Sequence, residues 1–259
     1  MQTKLWTRDE LILAFNLYLK LPFGKMHSRN PEIIHLANIV GRSSNSIALR
    51  LVNFASVDPY HQNRGVVGMK GGAKQVQPIW DEFFQNKEAL IFESERILAE
   101  KENQTIENKY KELLTDINDL KGETKLREVK TRVNQNVFRQ IVVANYSGKC
   151  ALSGIDIPEL IFASHIIPWS INESERLNPE NGICLSALYD KAFDIGLISI
   201  NEKFEVLISS DLKKKNKKEY YSKYFSHIEN EKINLPKRYL PNKEFLQYHL
   251  DVIFSKRNS

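Results

Sequence analysis

Short apolar runs that end in turns occur mainly in the second half of this chain, whereas the first half has the spacing of amphipathic helices. Strand-like runs lie near residues 160–166 and 182–186. The segment ALYDKAFDIG that follows has the pattern of a short helix, and a hairpin with its turn at residues 201 and 202 comes next. Helices followed by a mixture of strands and helices predict an α+β protein.

This change of pattern predicts three regions in the 259 residues, a length sufficient for two modest domains. We expect residues 1–85 to form a helical domain and residues 126–259 to form a domain with both helices and strands. Between them, residues 86–125 are helical in pattern and highly charged, which is typical of a linker helix or a dimerising hairpin.

The first region begins with the signals of two short helices. Thr7 and Glu10 have the spacing of a capping box at the start of the first helix. Asn30 and Pro31 mark the start of the second, and Gly41 is placed to end it. Together with the helix that follows, they have the outline of a helix-turn-helix.

The third helix, capped by Ser43 or Ser44, has one polar side. Asn and Arg side chains have the geometry to contact adenine and guanine edges in a major groove. We therefore expect three residues of this helix to bind DNA: Asn45, Arg50 and Asn53. The alternative is a small helical bundle whose exposed side happens to be polar.

Charge and composition are compatible with a nucleic-acid partner and give no sign of a membrane protein. The formal charge is +5, and residues 63–75 combine glycines with basic residues. No apolar run reaches the roughly 18 residues of a membrane span, and the first residues lack the pattern of a signal peptide. The two cysteines, Cys150 and Cys184, are expected to be buried packing residues. We expect a cytoplasmic protein.

Four residues of the second half have side chains suited to phosphodiester hydrolysis. This reaction needs a base for the attacking water and charge relief for the leaving oxygen. His165, at a strand end, supplies a base whose ordinary pKa is near neutrality. Asp190 and Asp194 are four residues apart on one predicted helix, and their carboxylates suit Mg²⁺ or Mn²⁺. Asn181 lies in the loop before the second strand.

This order of elements resembles the HNH endonucleases of the ββα-metal type, in the branch found among bacterial restriction endonucleases. The resemblance covers about half of the chain, and its order and spacing are specific. The matching pieces are FR at 138–139, CALSG at 150–154, ASHIIPW at 163–169, Arg176, NPENG at 178–182 and FDIG at 193–196. The later FLQYH at 245–249 and Phe254 also resemble the end of that branch.

The resemblance implies a role for each residue of the site. It makes His165 the general base and Asn181 the residue that orients it, with the metal held by Asp190 and Asp194. The sequence departs from the family pattern in two places: Ser164 stands where a metal ligand often precedes the histidine, and Asp190 replaces a histidine. By its position, Ser164 is expected to be a further ligand of the metal.

Two arginines and the expected partners complete the prediction. Arg139 and Arg176 are expected to contact phosphates, with a structural ion pair as the alternative for each. The sequence thus predicts a magnesium- or manganese-dependent enzyme that cleaves double-stranded DNA in a restriction system. Since cutting both strands with a single centre usually needs two copies, a homodimer is expected. The alternatives are a structure-specific or homing-type nuclease and a DNA-binding regulator with an inactive nuclease fold.

Overall fold

A computed structural model describes residues 5–115, 119–236 and 238–258. The chain divides into two compact units, Met1–Val137 and Phe138–Ser259. The division falls inside the longest helix, α8 (Gly122–Asn145). Helices predominate and the strands form two small sheets, so the chain has the expected α+β composition.

Seven α-helices precede α8 in the described part of the first unit, and the first three begin where the sequence predicts. Thr7 and Glu10 form both hydrogen bonds of the capping box, Ser43 caps the third helix, and Gly41 ends the second with a left-handed φ of 67°. The helices before α8 are α1 Arg8–Lys20, α2 Pro31–Val40, α3 Ser44–Val57, α4 Pro59–Gln62, α5 Gly72–Phe83, α6 Lys87–Lys101 and α7 Ile106–Lys109.

The core of this unit is aromatic. Phe15 of α1 stacks on Phe54 of α3 with ring centroids 4.7 Å apart, and on Trp80 of α5 at 5.1 Å. Aromatic pairs of this kind add to the free energy gained by removing apolar surface from water. The helix-turn-helix outline is therefore part of a larger helical core.

Residues 86–101, which the sequence places in a linker, pack on the first helix. Glu95 of α6 is buried, and its Oε1 accepts hydrogen bonds from Lys20 at 2.5 Å and Asn16 at 3.0 Å. A buried carboxylate needs such partners, so α6 is anchored in the helical core. Gly122 is the first residue of α8. The boundary between the compact units lies after Val137, whereas the predicted region boundaries are at residues 85 and 125. The assignment of separate functions to the three predicted regions stays a prediction.

The second unit is built around two strands and a short helix. Strand β1 (Ile161–His165) pairs antiparallel with β2 (Gly182–Ser186), and helix α9 (Ala187–Asp194) follows and packs on both. Strands β3 (Ile198–Ile200) and β4 (Val206–Ile208) form the predicted hairpin. The unit ends with α10 Ser210–Lys213, α11 Glu219–Tyr224, α12 Lys243–Tyr248 and a π-helix, His249–Phe254.

Both cysteines are free and buried in this unit, as predicted. No helix in the described ranges is long and apolar enough to cross a membrane.

Candidate active site

His165 lies at the end of strand β1, and Asp190 and Asp194 lie on helix α9. This strand and this helix pack against each other. His165 is the last residue of β1 and lies opposite Gly182 in the register of the sheet. Its neighbour Ser164 is buried, and the Ser164 hydroxyl donates a 2.5 Å hydrogen bond to Oδ1 of Asp190. The carboxylate on α9 is thereby attached to the residue beside the imidazole.

The His165 ring is held by two aromatic side chains. It stacks on Phe138 with a centroid distance of 4.0 Å and an interplanar angle of 12°. The Trp169 ring lies edge-on at 5.5 Å. Because two rings fix its plane, the imidazole has one orientation that depends on packing as well as on hydrogen bonds.

The hydrogen bond of His165 decides which of its nitrogens is the base. Nε2 lies 2.9 Å from the backbone carbonyl oxygen of Arg176, and a carbonyl can only accept, so Nε2 carries the proton. In the neutral ring the lone pair is then on Nδ1. Across the described residues, Nδ1 is neither in a hydrogen bond nor among the fully buried polar atoms that lack a partner. Solvent therefore reaches the basic nitrogen.

Burial favours the neutral form of this ring. Desolvation lowers the pKa of His165 below its ordinary value of 6.5, against a smaller opposing effect of the hydrogen bond to Arg176. A neutral imidazole with an accessible lone pair can accept a proton at neutral pH.

Asn181 closes the loop between the two strands. It is 1% exposed, and its Nδ2 donates to the carbonyl oxygens of Ile167 and Glu175, each at 3.1 Å. Its Oδ1 accepts from the Ile167 amide at 2.8 Å. Because Glu175 immediately precedes Arg176, whose carbonyl holds the imidazole, Asn181 positions His165 through the backbone and does not contact the ring by a hydrogen bond.

Asp190 and Asp194 are the oxygen donors available for a divalent cation. Within the described ranges, no group of three or more His, Cys, Asp or Glu side chains is arranged to hold a metal. Mg²⁺ nevertheless commonly binds through one or two carboxylates, while waters and substrate phosphates complete its shell. Partial desolvation and then the negative charge of Asp190 raise the pKa of Asp194. A cation beside the two carboxylates would relieve this repulsion, so the residues fit such an ion.

The Ser164 hydroxyl forms a hydrogen bond with a proposed metal ligand. It donates its proton to Asp190 and so fixes that carboxylate. The expectation that Ser164 itself binds the metal stays a prediction.

The two arginines predicted to bind phosphate both donate hydrogen bonds to backbone carbonyl oxygens. Nε of Arg176 donates to the carbonyl oxygen of Trp169 at 2.6 Å, and its guanidinium lies over the Trp169 ring. Nη2 of Arg139 donates to the carbonyl oxygens of Pro158 and Ile161, both at 2.8 Å. Nη2 of Arg176 also lies 3.2 Å from Oε1 of Glu173, which is the structural ion pair of the alternative, whereas the partners of Arg139 are carbonyl oxygens. Phosphate contacts by either arginine stay a prediction.

The three predicted DNA contacts of α3 lie in the helical unit and differ in exposure. Asn45 is exposed. Arg50 and Asn53 are 7% and 3% exposed, and Oδ1 of Asn53 accepts a hydrogen bond from the Met69 amide at 3.1 Å. Arg50 and Asn53 are therefore largely enclosed, because the segment after α4 covers part of the polar side of α3, and the contact of all three residues with DNA stays a prediction.

Sequence reasoning missed the part played by Phe138 and Gly182. A Cβ added to Gly182 would lie 2.4 Å from Val142 and 2.9 Å from the tip of the Phe138 ring, distances that real Cβ atoms do not show. The absence of a side chain at Gly182 thus allows α8 to pack against β2 and Phe138 to reach His165. The Asn-Gly pair at 181–182 is the signal in the sequence, but it is more typical of a tight turn.

Gly182→Ala is expected to destabilise the second unit by about 1–3 kcal/mol, as overpacking of a close core contact usually does. The displaced Phe138 ring should also reduce any activity that depends on His165. Thermal melting and activity of the variant would test this, with Gly154→Ala as a control for a turn glycine that has open space around its Cβ position but a positive φ. Unchanged melting of Gly182→Ala would contradict the packing described here.

A comparison with known protein families gives a match to part of the second unit. Residues 150–201, about a fifth of the chain, match the family described as HNH endonuclease. The match contains β1, β2, α9 and the residues His165, Asn181, Asp190 and Asp194. No curated protein matches the chain. HNH nucleases generally use divalent metal ions, which agrees with the carboxylates of α9. The second unit of this chain therefore carries an HNH domain, the kind of domain found in nucleases.

Proposed function

We propose that this protein is a metal-dependent endonuclease that hydrolyses phosphodiester bonds of double-stranded DNA. The observation that carries the proposal is the state of His165. Its Nε2 is committed to the Arg176 carbonyl, and its accessible Nδ1 keeps a lone pair because burial lowers the pKa of the ring.

In the proposed reaction, Nδ1 of His165 accepts a proton from the water that attacks the phosphorus atom. The new P–O bond forms as the bond from phosphorus to one sugar oxygen breaks, and that oxygen leaves with a proton taken from solvent. Asn181 and Phe138 hold the imidazole in place during the transfer. A divalent cation held by Asp190, and by Asp194 beside it, would supply charge relief for the phosphate and the leaving oxygen.

Metal removal tests the proposal directly. Supercoiled plasmid should be nicked or linearised by the purified protein with Mg²⁺ or Mn²⁺, should stay intact with EDTA, and should be cut again when either ion is restored in excess. Cutting that is equal with EDTA would contradict a metal-dependent enzyme. DNA binding without cutting under every metal condition would instead identify a regulator with an inactive nuclease fold.

We further propose that the cleavage serves restriction of foreign DNA, with the helical unit reading a sequence or a modified base and two copies acting together. The resemblance of the site to bacterial restriction endonucleases and the +5 charge support this setting. Sequencing the ends produced from methylated and unmethylated genomic DNA tests it. Ends at one recurring motif, in one of the two substrates, are expected, and ends scattered equally over both would contradict it.

A further inference from the structure

The helical unit contains a cavity on one side of α3 that the nuclease chemistry does not use. Its volume is about 360 Å³, near the lower end of the range for pockets that enclose a small organic group. It lies between α3, the residues before α1 and the segment from Met69 to Gln75. None of the described residues that line it is acidic, and three are basic: Arg42, Arg50 and Lys70. The cavity therefore suits a ligand that is attached to negatively charged groups.

The segment that covers α3 is seated on Asn53. The Met69 amide donates to Oδ1 of Asn53 at 3.1 Å. A Cβ added to Gly72 would lie 2.3 Å from the same oxygen, so the absence of a side chain at residue 72 allows this close approach. The cavity is thus formed by packing within the helical unit, before any ligand arrives.

The side-chain amide of Asn53 offers a donor group to this cavity. Because Oδ1 accepts from the Met69 amide, the other atom of the side chain is the NH₂ group, Nδ2. Asn53 is 3% exposed and lines the cavity. Across the described residues, Nδ2 is neither in a hydrogen bond nor among the fully buried polar atoms that lack a partner. A group that enters the cavity can therefore accept a hydrogen bond from Nδ2.

Large apolar side chains are exposed around the same cavity. Leu49 of α3 and Met69 both line it, and both are exposed to solvent. Leu5, from the residues before α1, is a third such side chain. Exposed apolar side chains that converge on a concave site are typical of a binding surface. Apolar contacts to the two faces of a ring, combined with hydrogen bonds to its edge, hold a nucleobase that has left the duplex.

The enclosure of Asn53 decides how DNA can reach it. The edges of paired bases lie in the grooves of the duplex. Since residues 69–75 cover Asn53, placing α3 in a major groove does not bring its amide to such an edge. A base that leaves the stack can instead enter the cavity. Lys70 lines the cavity and is exposed, so its ammonium group can meet the phosphate attached to that base.

We propose that this cavity receives one nucleobase extruded from duplex DNA, with Nδ2 of Asn53 donating a hydrogen bond to an oxygen or ring nitrogen of the base. Leu49 and Met69 contact the faces of the base, and Lys70 binds the adjoining phosphate. The inference rests on the proposed function, because a protein that cleaves duplex DNA meets bases in a stack. It gives the helical unit a means of reading a single base, including a modified one.

A duplex with 2-aminopurine in a central mismatch is the probe for this proposal. The fluorescence of 2-aminopurine rises when the base leaves the stack, and a mismatched base costs less to extrude than a paired one. The protein is titrated with this duplex and with the fully paired duplex, in the presence of EDTA to prevent cutting. The wild type should bind the mismatched duplex at least about tenfold more tightly and should raise its fluorescence.

Two variants of the cavity test the assignment, each with a matched control. Asn53→Asp keeps the oxygen that accepts from the Met69 amide and replaces the Nδ2 donor by an acceptor, and Asn108→Asp makes the same change of charge at an exposed residue of α7. Ser46→Phe fills the cavity without a change of charge, and Ser44→Phe adds the same ring to α3 outside the cavity. Both cavity variants should lose the preference for the mismatch and the rise in fluorescence, whereas both controls should keep them.

No rise in fluorescence with the wild type, or an equal rise with the wild type and the two cavity variants, overturns the proposal. If Asn53→Asp melts at a lower temperature than the wild type, Ser46→Phe decides alone. A wild type that cuts no plasmid but extrudes the base in a manner dependent on Asn53 would refute the nuclease and leave the cavity intact. Normal cutting of plasmid without extrusion would refute the cavity alone.

Discussion

His165→Ala is expected to lower the rate of metal-dependent plasmid cleavage by a factor of about 10²–10⁴, the usual contribution of a positioned general base. The substitution removes the Nδ1 lone pair and leaves the carboxylates of α9 in place. Initial rates at saturating Mg²⁺ or Mn²⁺ measure the loss. His35→Ala is the matched control, because the His35 side chain is 60% exposed and belongs to the helical unit.

The dependence of the wild-type rate on pH gives a second measure of the same group. A base must be deprotonated to act, and burial lowers the pKa of His165 below 6.5. The rate should therefore stay constant as pH falls from 8 to about 6.5 and decline only below that value, as the ring becomes protonated.

Added imidazole should partly restore the cleavage rate of the His165→Ala variant. A variant that melts like the wild type and cuts at the same rate would remove His165 from the chemistry.

Local signals were sufficient to predict the elements that make up the site. Short apolar runs that end in turns predicted β1 and β2, and the pattern of ALYDKAFDIG predicted α9. The order of these elements predicted that His165, Asn181 and Asp190 belong to one site. What could not be predicted is the partner of each polar atom. The carbonyl oxygen that accepts a hydrogen bond from His165 belongs to a residue 11 positions later in the chain. The ring that stacks on His165 is that of Phe138, which lies in α8, before β1 begins.

The arginines show the same limit in another way. A guanidinium binds phosphate, carboxylate and carbonyl oxygens with the same donors, so its residue type does not reveal its partner. The backbone carbonyls bound by Arg139 and Arg176 come from segments folded against them. For Arg50, a regular polar spacing on α3 predicted an exposed side chain, and the later segment at 69–75 encloses it. Burial of this kind depends on tertiary contacts, which the spacing of residues along a helix does not reveal.

Asp190→Asn is expected to lower cleavage at a fixed metal concentration by about a hundredfold or more, corresponding to about 3 kcal/mol of transition-state stabilisation. Asparagine keeps an oxygen that can accept from the Ser164 hydroxyl but removes the negative charge that attracts the cation. Calorimetric titration with Mn²⁺, without DNA, should show weaker binding for the same variant.

Ser164→Ala is the matched control, because it removes only the hydrogen bond that fixes the carboxylate. Losing an outer-shell partner of this kind commonly weakens metal binding by about 10–100-fold, so its effect should be smaller than that of Asp190→Asn and should diminish at high Mn²⁺. If Asp190→Asn cuts as the wild type does at every metal concentration, Asp190 does not hold the ion. A loss confined to Asp194→Asn would then move the metal to the last turn of α9. If instead Ser164→Ala is as inactive as Asp190→Asn at saturating metal, the hydroxyl contributes directly to the metal shell, as the family pattern at the position before the histidine implies.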